Sequence, residues 1–323
     1  MKYRIWCLTL VLCLLLSACG DSDDRPRQAS LLKDVSPLEE TEILLVVDGR
    51  EVPAWRYLYW LGRACSSIRA EYEAAGLELD WTAAAETGTL AEYVKQQALA
   101  DTVLYATVEN WAEQYGCAAV ENGEKTAADM GLTQTQAEEL AATGRMYAQL
   151  YELFCTEGSS LAPAAEELTA FAEKQGWVTY DRIFVVAGED RTAAAEKAAE
   201  LFSRLNAAAD QMAEFTALMA ETQSPAEAQT VRLGDGTLSP AEEDALTTLE
   251  EGQYSGILEI EDGFCILRRR PPHGFAVREA YFDELLREAA DEAVVQAASA
   301  YEALDVAEFD QKIREQAIQR EKK

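Results

Sequence analysis

Between Trp177 and Pro271 the chain alternates strand-like and helix-like segments in an order that few folds accommodate. Val178–Val186 is a β-branched and aromatic run with the composition of a strand. Thr192–Leu205 follows as a helix, with Ala195, Ala198, Leu201 and Leu205 on one side, and Glu214–Ala220 as a second. Thr230–Gly234 is strand-like and ends in a glycine turn. Ser239–Leu249 is a third helix, with Ser239 as cap and Pro240 at its first position. Gly252–Leu267 supplies two closing strands turned by Asp262-Gly263. The order is therefore strand, helix, helix, strand, helix, strand, strand. Gly234-Asp235-Gly236 is not a phosphate loop, because the Gly-x-Gly-x-x-Gly spacing and its dinucleotide helix are missing.

The flanks read as helices. Ile43–Val47 is a short apolar run closed by Asp48-Gly49, a hairpin signal, and Pro53 is placed to open a helix. In that helix Ala54, Leu58, Leu61, Cys65 and Ile68 form an apolar face, with Trp55 and Tyr59 along its edge. Thr89 to Glu92 has capping-box form and starts a helix to about Tyr115, with Val94, Ala98, Val103, Leu104, Val108 and Trp111 on its buried side. Thr133–Phe154 and Ala164–Lys174 are two more, the last ended by Gly176. After Pro271-Pro272 a helix is predicted from about Val277 to Tyr301, with Tyr281, Leu285, Leu286, Ala289, Val294 and Val295 as candidate buried positions. Asp305 is placed to cap a final helix carrying Phe309 and Ile313.

The first eighteen residues have the form of a leader. Lys2 and Arg4 precede an apolar run, Leu8–Leu16, too short to span a bilayer. Leu16-Ser17-Ala18-Cys19-Gly20 resembles the bacterial lipobox, which implies cleavage before Cys19 and lipid attachment to its thiol. An ordinary signal peptide with an incidental Cys is the alternative. Residues 19–40 are polar and charged and read as a flexible tether. The net charge is −30, and loss of Lys2 and Arg4 with the leader makes it −32. Such acidity argues against nucleic acid and against docking on anionic lipid. Cys65, Cys117, Cys155 and Cys265 form no CxxC pair, and His273 is the only imidazole, so no metal or other cofactor is expected. One or two disulfides or isolated buried thiols both fit this set.

Leu249–Gly256 and Glu261–Leu267, with Phe215-Thr216-Ala217-Leu218 and Thr230–Gly234, resemble the parvulin-type peptidyl-prolyl isomerase domain. Val47–Pro53 and the flanking helices are similar to SurA/PrsA-like extracytoplasmic foldases. The resemblance implies an α+β fold. A mostly helical, discontinuous chaperone domain (41–176 with 272–323) would carry an inserted parvulin-like domain (177–271) with a four-stranded antiparallel sheet. It further implies a lipid-anchored protein on the extracytoplasmic face of a cell membrane, binding unfolded or proline-containing secreted polypeptides.

Arg182 stands where the parvulin family has a His in its first strand, and Cys265 where a second His is usual. Ser224-Pro225 falls at the acidic or thiol position, and Glu242 at the aromatic wall of the proline pocket. Leu233, Leu238, Leu246 and Phe264 are the implied peptide-binding positions. Isomerisation must stabilise a twisted amide across a barrier of about 18–20 kcal/mol, so it needs an apolar proline pocket beside polar groups. Two readings follow for the candidates Arg182 and Cys265. Either the guanidinium and thiol form an altered site, or an exposed Arg and a buried Cys remain on a retained fold. Three functions are thereby open: a chaperone with a nearly inactive module, an atypical isomerase, or a lipoprotein subunit with one fixed partner.

Overall fold

The computed structural model describes residues 32, 35–85, 87–117, 132–272 and 274–321. Cys19, the leader and His273 lie outside them. The chain divides into two compact units. One is continuous, Leu153–Asp283; the other joins the chain up to Glu152 with Glu284–Lys323.

In the discontinuous unit β1 (Ile43–Val47) and β2 (Arg50–Pro53) pair antiparallel. Their turn needs two residues at positive φ, supplied by Asp48 at 48° and Gly49 at 85°. Pro53 then caps α1 (Ala54–Ala74), whose first turns are buried almost all round. Trp55 and Tyr59, expected along the edge, are 4% and 7% exposed, and Trp60 lies against Tyr105 with ring centroids 4.6 Å apart. α2 (Leu90–Tyr115) begins at Thr89, whose side chain and that of Glu92 satisfy each other's backbone amides. It ends at Gly116 in the left-handed conformation. Leu32, Val35 and Leu38, from the stretch read as a tether, are also buried in this core.

The longest departure from the sequence reading is at the C-terminal side. α3 (Gln134–Cys155) and α4 (Ala165–Gln175) lie where their periodicity puts them, and Gly176 caps α4 at φ 75°. The later helix stops at Glu292 rather than reaching Tyr301. Val295–Ala297 instead form an edge strand antiparallel to β1, bonded through Asp48 N–H to the Val294 carbonyl (3.0 Å) and Ala298 N–H to that of Leu44 (2.9 Å). Val294 and Val295, expected buried, are 64% and 36% exposed. The β-branched pair follows its strand propensity, and β1 offers an open edge. A short helical turn (Ser299–Glu302) and a last helix (Val306–Glu321) follow, the latter capped by Asp305. No helix among the described residues is long and apolar enough to cross a membrane.

The continuous unit holds a four-stranded antiparallel sheet. Its strands are β3 (Trp177–Val186), β4 (Gln229–Arg232), β5 (Leu258–Ile260) and β6 (Gly263–Arg270), in the order β4-β3-β6-β5. Its helices are α5 (Arg191–Ala207), α6 (Gln211–Glu221) and α7 (Pro240–Thr248), giving the expected element order. Gly263 opens β6 so close to β3 that a Cβ would overlap the Val185 carbonyl oxygen. α8 (Phe275–Glu292) packs its Val277 with Leu168, Phe171 and Ala172 of α4, so the unit boundaries fall inside α3 and α8.

Candidate functional site

Strand alternation sorts β3 and β6 into two faces. Val178, Tyr180, Arg182 and Phe184 share one face with Cys265 and Leu267, beneath Leu238 and Leu246 of the α7 region. Thr179, Asp181, Ile183 and Val185 share the other with Phe264, Ile266 and Arg268, beneath α5 and α6.

Arg182 and Cys265 are therefore on one face, and Glu242 in the first turn of α7 comes down between them. Its Oε1 lies 3.5 Å from Arg182 Nη1 and 3.7 Å from Cys265 Sγ. Its Oε2 accepts from the Ser239 backbone N–H (3.0 Å) and hydroxyl (2.8 Å). The carboxylate is 3% exposed yet surrounded by donors, which is the condition for burying a charge. The capping box explains why Glu is here: position N3 of a helix begun by Ser239-Pro240 favours it, and the same side chain reaches the sheet. Arg269 donates to the Leu246 carbonyl, tying the end of α7 to β6.

Arg182 is not an exposed residue. Its side chain is 26% accessible, its guanidinium stacks over Phe184 at 5.1 Å, and its Nε is buried without a partner. Cys265 is 1% exposed. Burial, reinforced by the Glu242 carboxylate and opposed by Arg182, pushes its thiol up to about 12. It is a neutral donor, not a thiolate nucleophile. Burial also raises the Tyr180 phenol, which donates to Gln229 Oε1 at 2.8 Å. Ser224 sits at the edge of β3, where its hydroxyl accepts from the Phe184 N–H at 2.9 Å beyond the end of β4.

Leu233, Leu238 and Leu246 belong to one apolar cluster beside this polar group. Phe264 does not join them. It packs with Ala187, Ala194 and Ala198 on the opposite face, under the Arg191 guanidinium. That opposite face also holds a buried ion pair, Arg268 Nε to Asp181 Oδ2 at 2.9 Å, with Arg268 over the Phe215 ring. Sequence reasoning passed over this pair, although an Asp in an apolar strand was a signal. It also placed Glu242 only as a lost aromatic. All four described thiols are free and buried. Among the described residues no group of three His, Cys, Asp or Glu could hold a metal ion.

Residues 178–270 match the family model for the rotamase domain described as PPIC-type PPIase, under a third of the 323 residues. Among solved structures the chain is similar to the PrsA peptidylprolyl isomerase of Bacillus anthracis, at 11% identity over 84% of this chain and 90% of that one, with a TM-score of 0.24. The foldase protein PrsA of Streptococcus pneumoniae matches at 14% identity over 85% and 93%, with a TM-score of 0.24. That of Lactococcus lactis matches at 12% over 84% and 99%, with a TM-score of 0.26. No curated protein matches the chain.

Proposed function

Starting from residues 178–270 as a PPIC-type peptidyl-prolyl isomerase domain, we propose a foldase-like chaperone in which that domain binds polypeptide and isomerises it little or not at all. The observation that carries this reading is the placement of Glu242. Both donors that stand at the family's histidine positions, Arg182 and Cys265, are turned to its carboxylate. An amide entering beside Leu238 would meet donors already engaged, and displacing Glu242 from them would strand a buried charge. The apolar cluster of Leu233, Leu238 and Leu246 supports retention of binding. The mostly helical discontinuous unit would contribute the larger polypeptide-holding surface. The lipobox-like Leu16–Gly20 supports attachment through Cys19 to the extracytoplasmic face of a membrane, where secreted chains emerge.

The test is two-dimensional exchange spectroscopy on the resonances of a short proline-containing peptide, with the mature chain added in catalytic amount and then in excess. The expected result is shifted or broadened peptide resonances without faster cis–trans exchange. Accelerated exchange that disappears in Arg182→Ala would make this an atypical isomerase instead. A mature chain that neither perturbs the peptide nor delays aggregation of an unfolded client would defeat the chaperone reading.

A further inference from the structure

The edges of the two sheets are not alike. β2 carries Arg50, Glu51 and Pro53, β4 ends in Arg232, and the middle residue of β5 is Glu259. Charges and proline on an edge strand keep other chains from pairing with it. The remaining edge, Val295-Gln296-Ala297, has neither, and all of its residues are exposed. Alternation along the strand fixes which groups it offers. The bonds from Asp48 N–H to the Val294 carbonyl and from Ala298 N–H to the Leu44 carbonyl turn positions 294, 296 and 298 towards β1. The N–H and C=O of Val295 and of Ala297 therefore point away from β1, where no further strand lies among the described residues. The side chains of Val295 and Ala297 share the face of their register partners Val47 and Leu45, which are fully buried. A strand added here would bond to both groups of both residues, and its alternate side chains would continue that buried face.

We propose that this edge takes an extended segment of an unfolded polypeptide by strand addition, with apolar residues beside Val295 and Ala297 and uncharged polar residues between them. A second copy of the chain is the poorer occupant. Three residues span about 10 Å, and pairing along so short an edge buries a few hundred Å², against roughly 1,000 Å² for a specific dimer. It would also bring together two chains of net charge −30. Asp291 and Glu292, exposed just before the strand, likewise repel acidic segments and admit neutral or basic ones. Main-chain bonds make such capture tolerant of sequence, and the buried face asks only for an alternating pattern. The inference rests on the polypeptide-binding reading above and gives it a site in the discontinuous unit.

The experiment is fluorescence anisotropy of the protein with a labelled peptide, Lys-Val-Thr-Val-Thr-Val-Lys, and two derivatives N-methylated at the Val or at the Thr amides. Only the Val amides face the edge when Val lies beside Val295 and Ala297. The Val-methylated peptide is therefore expected to bind about tenfold more weakly than the parent, and the Thr-methylated peptide within about twofold of it. Val295→Pro removes one outward donor and leaves the bonds to β1, so it should weaken the parent peptide about fivefold. Unchanged affinity in folded Val295→Pro, or equal weakening by the two methylation patterns, overturns the assignment while polypeptide binding stands. If Val295→Pro does not fold, the methylated peptides on the unaltered protein still decide. A dimer in sedimentation that Val295→Pro dissolves would give the edge to a second copy and overturn the assignment as well. If no peptide binds the assignment falls, and delay of client aggregation by the same preparation then decides whether the chaperone reading falls with it.

Discussion

The Arg182–Glu242 contact predicts an asymmetry between its two partners. Breaking a fully buried ion pair by removing one member costs about 3–5 kcal/mol. Here two features reduce that figure. The contact is 3.5 Å, longer than the roughly 2.8 Å of a strong charge-assisted bond, and Glu242 keeps both Ser239 donors. Arg182→Ala should therefore cost about 2–3 kcal/mol, because the carboxylate is 3% exposed and cannot reach water. Glu242→Leu should cost only about 1 kcal/mol, mainly the lost cap, since Arg182 has an open side through which to hydrate. In the double variant Arg182→Ala/Glu242→Leu the cost should stay near that of Glu242→Leu alone, a coupling of about 2 kcal/mol. The assay is urea unfolding of the protein followed by hydrogen exchange in β3 and β6 peptides, which isolates the continuous unit from the other. A loss below about 0.5 kcal/mol for Arg182→Ala, or an equal loss in the Glu242→Leu background, would refute the claim that Arg182 holds Glu242 in place.

Three further outcomes follow from the same physics. Burial lifts Cys65, Cys155 and Cys265 to about 12 from an ordinary value near 9, so the unfolded thiols lose protons first. Stability should then fall as pH rises from about 9 towards 12, and a thiolate-directed reagent at pH 8 should label these positions only on unfolding. Burial lifts Asp101 to about 6 against an ordinary 3.8, with Arg63 opposing, so the folded state binds this proton more tightly. Its contribution improves as pH drops from about 6 to 4, and Asp101→Asn should be more stable than wild type at pH 7 in thermal melts. The ladder bonds at Val294 and Ala298 put the Gln296 N–H on the β1 side by alternation. Gln296→Pro should cost about 1–3 kcal/mol and speed exchange at Leu44–Asp48, whereas Val295→Pro, on the open edge, should leave those amides protected.

Local chemistry explains what could be read in the sequence. Thr89 with Glu92, Ser239 with Pro240, and Gly176 each fix a helix end through backbone groups a few residues away, and all three lie where expected. The family resemblance singled out Arg182 and Cys265 together, and the β3–β6 register puts both on one face. What escaped depends on distant partners. Val294 and Val295 satisfy a helical count as well as a strand, and only β1 decides between them. Phe264 and Cys265 are adjacent in sequence but face opposite layers, so Phe264 packs apart from Leu233, Leu238 and Leu246. Glu242 looked like a lost aromatic because its partners are 60 and 23 residues away.

The pairing of β1 with Val295–Ala297 has a consequence for the order of events during biogenesis. A chain that emerges from its N-terminus presents Ile43–Val47 early, with β2 on one edge and nothing on the other. The strand that closes that edge appears only after Leu153–Asp283 has emerged. Leu153–Asp283, by contrast, is uninterrupted and can complete its own core as soon as it is out. Compaction of that intervening stretch shortens the effective loop that β1 and the late strand must close. The discontinuous unit therefore finishes after the continuous one, and until then it exposes an unpaired strand edge of the kind that other unfolded chains seek.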